Sequence, residues 1–149
     1  MDKDMETAER LGRRRARALP VLAILFISQQ ASYFAGSRAD QAGRLGGDFN
    51  VSAWLVLSIV LLAALATGGA WFRSKRVRAL LNDEVTRAHR TEAFRIGFLA
   101  TMMGAIALYC MSLFVPIEGR EAIHVLMTVG LAAALLRFGK LERRALRDA

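Results

Sequence analysis

The chain has 149 residues, 54% of them hydrophobic, with 21 Lys and Arg against 13 Asp and Glu for a net charge of +8. A single cysteine rules out an internal disulfide framework, and two histidines with one cysteine offer no metal-spaced cluster. The apolar residues fall into four uncharged stretches, which leaves no room for a separate soluble catalytic domain and makes residues 1–149 one domain.

In chain order, a basic arm carrying Lys3, Arg10, Arg13, Arg14, Arg15 and Arg17 leads into the first apolar stretch, 18–37. Pro20 falls in its first turn, where a missing N–H costs little. A cleaved signal peptide is the rival reading, since Arg13-Arg14-Arg15 precedes the run Val21 to Ile27 and Ala35-Gly36-Ser37 resembles a cleavage site; the stretch is read as a retained helix. Its outer half holds a polar patch, Ser28, Gln29, Gln30 and Ser32. Exposing two adjacent amides to lipid is costly, so at least one must face a neighbour. Interhelical bonding is the expected role, and a ligand or quinone pocket between Gln29, Gln30 and Tyr109 is the alternative.

After a glycine-rich loop, residues 37–48, comes the second stretch, 49–72. The connector 73–95 contains no Pro or Gly, and Val77, Leu80, Leu81, Val85 and Ala88 recur at helical spacing. It therefore reads as a helical extension outside the membrane, broken near Asn82-Asp83, with Asp83 as a cap and Glu84 favoured at the helix start. The third stretch spans 96–117 and is followed by a tight turn, Pro116 to Arg120. The fourth is uncharged from 122 to 136 and is taken as a span over 121–138, with Glu121 and Arg137 at the two interfaces. Crossing a hydrocarbon core takes about 20 apolar residues, so the expected fold is an all-α membrane protein, a four-helix up-down bundle packed through small residues such as Gly68, Gly69, Gly104 and Gly130.

Lys and Arg set the orientation. The arm, the connector and the tail hold 18 of the 21 basic residues, leaving Arg38, Arg44 and Arg120 for the other side. Both termini are expected in the cytoplasm of a bacterial inner membrane, and the basic balance answers to topology and anionic lipid rather than to nucleic acid. Tyr33, Phe34, Phe49, Trp54, Tyr109 and Phe114 would form the outer aromatic belt; Trp71, Phe72, Phe94 and Phe138 would form the inner one.

The spans argue against several chemistries. None of the four uncharged cores holds an Asp or Glu, which a proton-coupled exporter needs inside the membrane. His124, near the outer end of the fourth helix, has no histidine at matching depth, since His89 lies in the connector, so bis-histidine haem ligation within one chain is excluded. His124 reads as a satisfied interfacial histidine and Cys110 as a small packing residue. No phosphate loop, Ser-His-Asp set or metal cluster can be assembled; no cofactor and no enzyme activity are expected.

The run Asn82-Asp83-Glu84-Val85-Thr86-Arg87-Ala88-His89-Arg90, continuing to Phe98, resembles the Asp-Glu-x-x-Arg segment of small bacterial four-helix membrane proteins of unknown function. The resemblance covers about 17 residues and the topology. It implies association with small helix-turn-helix regulators, and makes Asp83, Glu84, Arg87 and Arg90 the positions to test. The expected function is binding of a cytoplasmic partner through the basic connector, at Val77, Leu80, Leu81, Val85 and the charged positions beside them, and through the basic tails, without direct contact to nucleic acid. An accessory subunit packed against a larger respiratory or photosynthetic complex, and a small transporter lacking a buried acid, are the alternatives. A second copy of the chain is a further expected neighbour.

Overall fold

The computed structural model describes residues 10, 13–14, 17–30, 44–67 and 84–148, and the chain in these regions is helical, with no strand. Four helices organise it: α1 (Arg17–Gln30), α2 (Arg44–Thr67), α3 (Glu84–Ser112) and α4 (Gly119–Asp148). α3 and α4 are long and apolar enough to cross a membrane, while α1 and the Ser52–Thr67 part of α2 are apolar but shorter. Residues 31–43 and 68–83, with the Gly68-Gly69 pair, lie outside the described residues.

Hydroxyl side chains are tolerated in these apolar helices because they bond within their own helix. Ser58, Thr67, Thr91, Thr101 and Thr128 each donate to the carbonyl four residues earlier, at 2.8–3.1 Å. The third apolar stretch, expected to run to 117, is helical only to Ser112. Pro116 has no N–H and restricts Val115, so the chain turns through Leu113–Val115, with Val115 N–H donating to the Met111 carbonyl at 3.0 Å. α4 then begins, its first intrahelical bond running from Ala122 N–H to the Glu118 carbonyl at 3.0 Å. Glu121 in its first turn and Arg147 in its last both complement the helix dipole.

α4 is the centre of the molecule: half of its most apolar stretch is buried, against 6% for α3. α3 packs along it as an antiparallel hairpin whose crossing rests on two glycines. A Cβ on Gly97 would meet the Gly130 carbonyl oxygen at 2.8 Å and Ala134 Cβ at 2.9 Å, and one on Gly130 would collide with Thr101. Gly130 was among the packing positions expected from sequence, but Gly97 was not. α1 lies antiparallel on another side of α4, with Pro20 Cγ 2.9 Å from where a Cβ of Gly139 would stand and Gln30 beside His124. Leu19, Ala23 and Phe26 of α1, Leu61 and Leu65 of α2 and Leu131, Leu135 and Phe138 of α4 form the core.

Outside that core the surface is apolar. Val21, Ile24 and Leu25 on α1, Val56, Ile59 and Val60 on α2, and Phe98, Met103 and Ile106 on α3 are all exposed. Cys110, expected to be a packing residue, is exposed on the same face of α3. Meanwhile Gln30, Ser58, His124 and Thr128 are buried. Bulky apolar side chains thus face outward as well as inward, and a few polar ones are enclosed, which is unusual for a water-soluble protein.

Candidate functional site

Three of the buried polar residues, Gln30 of α1 and His124 and Thr128 of α4, meet at one point of α4 beneath a ring from α2. His124 and Thr128 stand one turn apart on α4 and so share a face. The Thr128 hydroxyl donates to the His124 carbonyl at 2.8 Å, which leaves its oxygen to accept from the Gln30 amide nitrogen. The Gln30 amide oxygen in turn accepts from His124 Nε2 at 2.5 Å. This circuit assigns the proton to Nε2 of His124, because the amide oxygen is acceptor-only. Trp54 of α2 covers the imidazole, with ring centroids 3.8 Å apart and planes at 20°.

The result is a clasp in which α1 supplies an amide, α4 an imidazole and a hydroxyl, and α2 an aromatic lid. Each polar group has a partner except the Trp54 indole N–H, which is buried and unbonded. That orphan gives a first prediction. Trp54→Phe keeps an aromatic face over His124 and removes an unsatisfied donor, so stability is expected to stay within about 1 kcal/mol of the parent or rise. Thermal unfolding in detergent checks it, and a loss of several kcal/mol would mean the N–H has a partner after all.

Of the positions singled out from sequence for an intramembrane polar patch, Gln30 and His124 come together. Gln29 is half-buried and makes no bond in this circuit, and Tyr109 is 69% exposed on α3. Among the described residues Tyr109 therefore takes no part in the circuit that holds Gln30. Trp54, expected in the outer aromatic belt, is 6% exposed and faces inward. Thr128 and Trp54 were missed, although a signal existed: polar residues in apolar spans must find one another, and Thr128 lies four residues after His124.

Beside the clasp, a groove of about 410 Å³ lies between α2 and α3 over α4. Leu62 and Leu65 form one wall and Phe94 and Phe98 the other, with Met127 and Leu131 in the floor. Only Ser58 and Thr101 among its lining residues carry hydroxyls, and both are already bonded within their helices.

At the end of the α3/α4 hairpin away from the Pro116 turn, two polar side-chain pairs bridge the helices. His89 Nδ1 lies 3.2 Å from Glu142 and Arg137 Nη2 lies 3.1 Å from Glu92. About a third of the second pair is exposed, so it is worth well under about 1 kcal/mol. The partner-binding positions divide here. Val77, Leu80, Leu81 and Asp83 lie outside the described residues. Glu84, Val85 and Arg87 are exposed on α3, whereas Arg90 is half-buried, and Thr86 and Ala93 turn inward. Val85 and Ala88, expected in an apolar seam, are thus free of the fold. Among the described residues no group of three or more His, Cys, Asp or Glu could hold a metal ion.

Comparisons with family models, curated proteins and solved structures return no match.

Proposed function

We propose that the chain is a four-span protein of a bacterial inner membrane, with both termini in the cytoplasm, that holds a cytoplasmic protein partner on the charged start of α3. The observation that carries the membrane reading is the apolar surface, with bulky apolar side chains outward on every helix and a hydrogen-bonded histidine clasp enclosed. A soluble monomer rarely exposes contiguous apolar surface on this scale, whereas a bilayer needs no other arrangement.

The docking role rests on Glu84, Val85, Arg87 and Ala88, which are exposed on α3 and lie at the basic end of the molecule. They continue into the basic connector of the sequence, and a small helix-turn-helix regulator is the partner class implied by the resemblance. A photocrosslinking residue at Val85 is expected to capture one discrete cytoplasmic protein, and Arg87→Glu to abolish the capture. Unchanged capture in the charge-reversed variant would refute docking at this face.

An accessory role beside a larger membrane complex is the second reading. It is favoured by one feature: α3 meets α4 along one side and leaves Phe98, Met102, Met103 and Ile106 exposed along the other. A crosslinker at Met103 that captures a foreign membrane subunit would support it.

A further inference from the structure

The groove between α2 and α3 ends where the cations begin. Ile123 and Ala134 both line its floor, so it follows α4 for about 16 Å at roughly 1.5 Å per residue, comparable with one leaflet of a hydrocarbon core about 30 Å thick. Its walls are apolar and it is open to the side that the exposed apolar belt occupies. On α3 the lining residues Phe94, Gly97 and Thr101 are spaced at helical intervals, and the same stripe continues one turn back to Arg90. Arg87 follows on the exposed flank. Neither arginine has an acidic partner among the described residues, in contrast to Arg137, which is held by Glu92.

An apolar slot of leaflet depth, crowned by unpaired guanidinium groups on the basic side, matches one kind of molecule in both its parts. We propose that the groove is a binding site for an anionic phospholipid of the cytoplasmic leaflet, with one acyl chain lying between Leu62 and Phe98 and the phosphate held by Arg90, assisted by Arg87. The apolar walls accept any acyl chain; the guanidiniums select the anionic headgroup, because arginine meets phosphate through paired N–H donors. The site would be the lipid neighbour of the proposed docking face, so that lipid charge and partner binding meet at the start of α3. This inference rests on the membrane reading above, but not on the identity of any protein partner.

The test uses the intact chain reconstituted into phosphatidylcholine vesicles that contain a minority of phosphatidylglycerol, extracted in mild detergent and weighed by native mass spectrometry. One phosphatidylglycerol per chain is expected to be retained in preference to phosphatidylcholine. Arg90→Gln is expected to lower that retention about fivefold, the worth of one basic residue near an anionic surface, and Arg90→Lys to recover most of it. Leu62→Trp, which fills the slot from the α2 side, is expected to abolish retention, while Arg144→Gln, an exposed charge on α4, leaves it unchanged. Equal retention of both lipids would overturn the proposal, as would an equal loss in the Arg144 variant or a second copy of the chain in place of lipid. Failure of the membrane reading is separately visible, since the chain would then remain in the supernatant and never enter vesicles.

Discussion

Gly97→Ala is expected to force α3 and α4 apart and to destabilise the hairpin by about 1–3 kcal/mol, the usual cost of overpacking a close contact. The added methyl would stand 2.8 Å from the Gly130 carbonyl oxygen and 2.9 Å from Ala134 Cβ. Neither is the far end of a flexible side chain, so the helices themselves must move. Alanine's better helix propensity, worth about 1 kcal/mol, offsets part of this. The neighbouring glycines supply an internal scale. At Gly104 a Cβ meets Leu126 Cδ2 at 3.3 Å, which a rotamer change relieves, and Val129 Cγ1 at an ordinary 3.9 Å, and at Gly119 it meets nothing within 4 Å. Denaturation of the three variants in detergent should therefore rank Gly97→Ala as the most damaging by a clear margin and Gly119→Ala as neutral or better. A Gly97 variant as stable as the parent would mean that the two helices do not cross at this point.

Gln30→Leu should produce the second large effect. It removes the acceptor of His124 Nε2–H and the donor to Thr128 in one step, leaving a buried imidazole N–H without a partner. Such a group costs about 1–3 kcal/mol, and His124 is too buried for bulk water to repair the loss. His124→Leu carries a similar penalty through the orphaned Gln30 amide, plus about 0.5–1.5 kcal/mol for the lost stack on Trp54. The double variant has neither unsatisfied partner, so it should be less destabilised than the sum of the singles, by about 1 kcal/mol. Strict additivity would show that the two side chains do not act on each other. The cycle also separates a clasp from a ligand site, because only the clasp predicts coupling in the ligand-free protein.

The apolar helices were legible in the sequence because long uncharged runs carry their own signal, independent of partners. Ends were less so: Pro116 was visible, yet the helix stops four residues before it because Leu113–Val115 are already turning. What the sequence did not disclose is which faces meet. Gly97 lies within an ordinary apolar run, and its importance depends on Gly130 and Ala134 standing opposite. Gln30 and His124 could each be read as needing a partner, but their mutual pairing, 94 positions apart, requires α1 and α4 to be antiparallel neighbours. Trp54 illustrates the opposite error. An aromatic residue near the end of an apolar run suggests an interfacial belt, whereas tertiary packing turns this one over the imidazole. The groove was invisible for the same reason, since its lining is shared among α2, α3 and α4 rather than supplied by any one segment.

We propose above that α1 to α4 cross a bilayer with both termini on its basic side. In a Cys110→Ser background, single cysteines replacing Arg14, Glu118 and Arg144 place one thiol before α1, one in the α3/α4 turn and one near the end of α4. A membrane-impermeant maleimide applied to spheroplasts should label the Glu118→Cys protein alone, with Arg14→Cys and Arg144→Cys becoming reactive only after permeabilisation. Labelling of Arg14→Cys or Arg144→Cys in sealed spheroplasts, or recovery of the chain in the soluble fraction, would contradict the account.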